Sequence, residues 1–160
     1  MGDITGLVAP PGGTSPIGTT TNDNAAPGVV GEFISSQVLQ GAAVALTAAT
    51  PANVTSINLT PGDWDVAAMV GFIAAASTNI TSAAAGVGTA SATLQTIANG
   101  GAQQEWGASG FVPTANAFSM GPMRTRISLS VATTVYLVAQ AGFTVSTLSA
   151  FGLISARRVR

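Results

Sequence analysis

Leu59-Thr60-Pro61-Gly62-Asp63-Trp64-Asp65-Val66-Ala67-Ala68-Met69-Val70-Gly71-Phe72 is the stretch that decides the fold class. Thr60-Pro61-Gly62-Asp63 reads as a type II turn. Proline presets φ at the second position, and glycine accepts the positive φ required at the third. Beyond the turn, Trp64, Val66, Ala68, Val70 and Phe72 recur at period two, the inward face of a strand. Before it, residues 54–59 alternate as well, with Thr55, Ile57 and Leu59 together.

The same period continues in both directions. Residues 29–39 put Phe33 and Leu39 on one face and Glu32 and Ile34 on the other, and residues 42–47 are a short apolar run. Towards the end of the chain, Met123, Thr125, Ile127, Leu129 and Val131 share one face, and Arg124, Arg126, Ser128 and Ser130 the other. Val135, Leu137, Ala139 and Ala141 form a further inward face. Residues 143–148 read as a short extended segment, and Phe151, Leu153 and Ser155 lead into Arg157 and Val159.

The middle is less regular. Recurring β-branched residues point to strands over 80–87 and 90–97, and Gly86 and Gly88 disfavour helix there. Residues 99–104 read as a turn, and 107–121 as a long surface loop holding Phe111 and Phe118. About eight or nine strands spaced near ten residues apart, with no amphipathic helix, predict an all-β protein. The expected form is an antiparallel β-sandwich of jelly-roll type.

Residues 1–28 are different material. Pro10, Pro11, Pro16 and Pro27 stand among many Gly and Thr, and no period is visible. The expected organisation is an extended N-terminal arm over 1–28 and one sandwich domain over 29–160. The 160 residues suit one domain with a real core. The longest apolar run, residues 66–76, is roughly half the ~20 residues a spanning helix needs, so no membrane segment is expected. The N-terminus lacks the basic and apolar regions of a signal peptide.

Charge is scarce and divided. Only 7% of residues are charged, against about a quarter in ordinary soluble domains. The acids Asp3, Asp23, Glu32, Asp63, Asp65 and Glu105 all precede the bases Arg124, Arg126, Arg157, Arg158 and Arg160. A net charge of -1 argues against nucleic-acid binding. With no His, Cys or Lys, the chain cannot build a Ser-His-Asp triad, a thiol nucleophile, a Schiff base, a P-loop or a plausible zinc site. Asp63 and Asp65 flank Trp64 as a carboxylate pair. Their simpler role is to close the turn and to sit solvated on the strand. Asn22-Asp23-Asn24 lacks the spacing of a calcium loop and reads as a turn or a contact of the arm. No enzyme activity and no cofactor are expected.

The arginines carry more information. Arg124 and Arg126 project from one strand, and Arg157, Arg158 and Arg160 cluster on another. Guanidinium forks pair well with carboxylates in partly buried settings. Asp23, Glu32, Asp63 and Asp65 are the expected partners, within a subunit, across a subunit boundary or at a seat on a larger assembly. Trp106, Phe111 and Phe118 are the candidate ligand-surface residues, with a host-surface glycan as the possible ligand.

Several stretches together resemble small virion structural proteins of tailed bacteriophages and prophages, of head-decoration, head-fibre or tail-fibre type. They are Gly18-Thr-Thr-Thr-Asn-Asp-Asn-Ala-Ala-Pro-Gly28 with Gly31-Glu32-Phe33, and Leu59-Thr-Pro-Gly-Asp-Trp-Asp-Val66. Arg126-Ile-Ser-Leu-Ser130 with Thr133-Thr-Val-Tyr-Leu-Val-Ala139, and Ala156-Arg-Arg-Val-Arg160, complete the set. The strand order is also similar to trimeric jelly rolls of the tumour-necrosis-factor and C1q type. The resemblance implies a homotrimer located in the virion. It implies attachment through the arm to a major capsid or tail protein, as a capsid decoration (cement) or short head-fibre protein. A tail-fibre or spike tip, or a carbohydrate-binding module, is the alternative.

Overall fold

The computed structural model describes residues 23–96, 101–111 and 117–160; most of the expected arm therefore lies outside the described residues. Ten strands form among the described residues: β1 Phe33–Val38, β2 Val44–Ala45, β3 Ala52–Leu59, β4 Gly62–Ala74 and β5 Asn79–Gly88. β6 Ala102–Phe111, β7 Ala117–Met120, β8 Thr125–Leu129, β9 Thr133–Thr144 and β10 Leu148–Arg158 complete them. A 3-10 turn, Gln40–Ala42, precedes β2.

Two antiparallel sheets pack face to face. One runs β1-β10-β4-β7, with β2 on β10 and β8 on β4; the other runs β3-β9-β5-β6. Sheet membership changes from β3 to β4, from β4 to β5, from β6 to β7, from β8 to β9 and from β9 to β10. This interleaving is the jelly-roll order, so the expected fold class holds. The Thr60–Asp63 turn is therefore a corner between sheets rather than a hairpin, and Gly62 takes the positive φ expected of it, 138°.

The core lies between the sheets and follows the period-two faces. Trp64, Val66, Val70 and Phe72 of β4 meet Val135, Leu137, Ala139 and Ala141 of β9 and Ala150, Ile154 and Ala156 of β10 in one cluster. Gly71 has a packing reason: the Phe151 ring of β10 lies over it, and a side chain at 71 would collide with the ring.

The middle of the chain corrects the sequence expectations. Residues 91–96 are turn and irregular rather than strand, because β5 ends at Gly88 and Ala92 takes a left-handed φ of 47°. Of the expected turn at 99–104, residues 99 and 100 lie outside the described residues, while Gln103 and Gln104 belong to β6. The expected loop at 107–121 instead holds the rest of β6 and all of β7. Three glycines among residues 107–121 hid the alternation there. Residues 143–148 divide between the end of β9, a turn and the start of β10. Val145 holds that turn with φ 79°, a rare conformation for a β-branched residue.

The two sheets present unlike outer faces. Leu94, from the 89–96 segment, packs over Gly86 and covers part of the β3-β9-β5-β6 face. Part of the other sheet's outer face is bare and apolar: Met69 is 56% exposed and Leu153 40%. Leu153 stands between Gln37 and Met69 in register, and no charged residue shares that row.

Candidate functional site

One end of the six-stranded sheet gathers the charge. Strand register places Phe33, Arg157, Asp65 and Arg126 in a row across β1, β10, β4 and β8. Arg124 reaches Asp65 with Nη2···Oδ2 at 2.8 Å. Arg126 reaches diagonally to Asp63 with both prongs, Nε to Oδ1 at 3.2 Å and Nη2 to Oδ2 at 2.8 Å. Arg160 also donates to Asp63 Oδ2, and the Val159 N–H donates to the Asp63 carbonyl at 2.9 Å. Asp63 is buried beneath these two arginines, whose own side chains stay exposed. Bidentate and charge-assisted geometry makes these the stronger kind of hydrogen bond.

A second cluster lies behind the first, inside the sandwich. Arg158 and Glu32 are both buried, and Arg158 Nε donates to Glu32 Oε2 at 2.9 Å. Arg158 Nη1 donates to the Pro61 carbonyl at 2.8 Å, and Nη2 donates to Thr60 Oγ1. Its guanidinium carbon stands 4.3 Å from the Trp64 ring centroid, a cation–π contact. Trp64 donates its indole N–H to the Thr60 carbonyl at 2.9 Å. Glu32 Oε2 accepts a further bond from the Gly28 N–H at 2.8 Å. Arg158 therefore joins three separated pieces of chain: the entry to β1, the corner at 60–63 and the end of β10. Glycine at 62 is required twice, because a side chain there would collide with the Arg158 guanidinium.

Electrostatics follow the geometry. Hydrogen bonds from Arg126 and Ser128, with Arg160 adding to them, hold the Asp63 carboxyl far below the ordinary carboxylate range against the opposing effect of desolvation. Burial alone would raise Glu32, but the Gly28 N–H and the Arg158 guanidinium outweigh it and leave Glu32 lowered from 4.5. The carboxylate oxygens accept from guanidinium and backbone N–H groups. This arrangement favours ion pairing over proton transfer.

The structure thus joins Glu32, Asp63, Asp65, Arg124, Arg126, Arg158 and Arg160 in four ion pairs among the described residues of one chain. Arg157 shares the outward row and is exposed. Asp23 is exposed beside Asn24, whose side chain bonds both backbone groups of Phe33, donating at 2.7 Å and accepting at 2.9 Å. Among the described residues, no group of three metal-ligating side chains occurs.

The aromatic candidates are elsewhere. Trp106 belongs to β6 and packs against the core, which corrects its expected place in an exposed loop. Phe118 stacks on Phe72 with centroids 4.9 Å apart. The backbone of Phe111 pairs with Ile80, and its side chain lies outside the described residues. Sequence reasoning missed Thr60, Gly28 and Ser128 as partners. Only the turn signal around Gly62 pointed to that neighbourhood.

No protein-family model and no curated protein matches the chain. Among solved structures, a similar chain comes from the infectious bursal disease virus Gx strain, at 14% identity and a TM-score of 0.38. That match covers 79% of this chain and 30% of the viral one.

Proposed function

We propose that this chain is a structural protein of a bacteriophage particle. In this reading it is a homotrimeric jelly roll, seated on the capsid through its N-terminal arm, and serves as a decoration or short head-fibre subunit. One observation carries the reading: Leu153 and Met69 stand exposed side by side on the outer face of the β1-β10-β4-β7 sheet. Contiguous exposed apolar surface on a folded domain marks an interaction site more often than a free surface. The motif resemblance supports the particle and the trimer.

Light scattering of the full chain at micromolar concentration is expected to give three times the chain mass. Met69→Ser with Leu153→Ser is expected to lower that mass without unfolding the domain. A monodisperse monomer for the unaltered chain refutes the trimer. Antibody labelling of purified particles tests the location, and label absent from the head refutes the decoration role.

A further inference from the structure

The outer face of the β3-β9-β5-β6 sheet holds a hollow of about 450 Å³, inside the range of roughly 300–1,000 Å³ usual for small-molecule sites. Its floor is Ser82 and Ala84 of β5, Gln103 and Glu105 of β6 and Gln140 of β9. The 92–96 segment and Pro51 form its walls.

Both walls are held in strained backbone. Three non-glycine residues among those described have left-handed φ, and two stand here: Ala92 in the hollow, and Ala49 two residues before Pro51. A side-chain amide fixes each. Asn53 Oδ1 accepts from the Ala92 N–H at 2.7 Å while its Nδ2 donates to Ser91 Oγ at 2.7 Å. Gln140 Nε2 donates to the Ala49 carbonyl at 2.9 Å. Left-handed alanines persist only where surroundings over-determine them, and such strain clusters at ligand clamps.

The lining chemistry selects a ligand class. Gln103 Nε2 donates to Glu105 Oε2 at 3.1 Å, which leaves a carboxylate and two carboxamides with further capacity to accept and donate. Thr93 and Thr96 add hydroxyls, and Ala84, Leu94 and Pro51 add apolar patches. Arrays of hydroxyl donors beside C–H faces satisfy such a lining. Among the described residues no cation lines the hollow, and Glu105 repels anions.

We propose that this hollow binds a neutral saccharide, with Glu105, Gln103 and Gln140 as its polar contacts. The site is separate from the aromatic residues of β6 and β7 and does not depend on the structural role above.

The test is isothermal titration of the full chain with neutral glucose and N-acetylglucosamine oligomers and with a sialylated oligosaccharide, followed by the variants Glu105→Gln, Gln103→Ala and Trp106→Phe. Neutral oligomers are expected to bind at millimolar concentration or tighter. Glu105→Gln and Gln103→Ala are expected to weaken binding by about tenfold, the loss of one or two hydrogen bonds, and Trp106→Phe to leave it unchanged. Glu105 is exposed, so its variant is expected to keep the melting temperature of the parent. Three results overturn the proposal: no heat with any neutral oligomer, preference for the sialylated sugar, or binding lost in Trp106→Phe and kept in Glu105→Gln.

Discussion

Two ion pairs at the same end of one sheet differ in almost everything but chemistry. Arg124 meets Asp65 at 2.8 Å on the outer surface, with the arginine side chain 68% exposed. Arg158 meets Glu32 at 2.9 Å inside the sandwich, with both side chains buried. Water competes for the first pair and screens it; a surface pair is worth about 0–1 kcal/mol. The second is buried away from bulk solvent, so each partner depends on the other. Removing one member of a buried pair costs about 3–5 kcal/mol, because an uncompensated charge remains inside. Location rather than distance sets what an ion pair contributes.

Breaking the buried pair is expected to have the largest effect. Arg158→Met strands Glu32 and frees Thr60 and Pro61, and denaturant titration is expected to show a loss of about 3 kcal/mol or more. Glu32→Met combined with Arg158→Met removes both charges, and the double variant is expected to recover part of that loss. If Arg158→Met alone were neutral, the contrast between inside and outside would collapse.

Asp63→Asn comes next. It keeps the shape but gives up the charge that Arg126 and Arg160 share, so a lower melting temperature than for any Asp65 variant is expected. Acid titration sharpens the comparison without a mutation. Glu32 and Asp63 both have folded pKa values below their unfolded ones, so each stabilises the fold above its unfolded value, 4.5 and 3.8 respectively. That contribution is lost as pH falls through the folded pKa values. Stability measured by denaturant from pH 6 downward is expected to fall below about pH 4.5. The slope is expected to flatten in the Asp63→Asn variant.

Arg124→Gln is expected to do least, within about 0.5 kcal/mol, and less still in high salt. A loss as large as that of Arg158→Met would show that the outer pair is less exposed to water than its surface position implies.

How much of this was legible in the sequence depended on what signalled it. Trp64, Val66, Val70 and Phe72 announced β4 because a half-buried strand must alternate, and Pro61-Gly62 announced the corner because few residues accept its dihedral angles. The jelly-roll order followed from the number and spacing of such strands. β6 and β7 stayed hidden because Gly107, Gly110 and Gly121 carry no side chain to show a period. The arginine–carboxylate partnership was legible from composition, since few other countercharges existed. Which acid each arginine meets was not, because period two says which face a residue takes and not which strand lies beside it. Trp106 was misplaced for that reason: the sequence around it looks like loop, and only pairing with Ala83 fixes it in the sheet.

Arg158 also sets an order of events. Its partners Glu32, Thr60 and Pro61 lie 126, 98 and 97 residues earlier in the chain. Ribosomal synthesis makes all three long before the guanidinium that joins them. Until Arg158 is made, Glu32 has no countercharge and stays hydrated, and the turn at 28–31 cannot close on β10 through Gly31 and the Arg158 carbonyl. The start of β1 is therefore secured by a residue made 126 positions after Glu32. A chain that lacks Arg158 leaves this end of the sheet open, with Glu32 hydrated and the 28–31 turn unattached to β10.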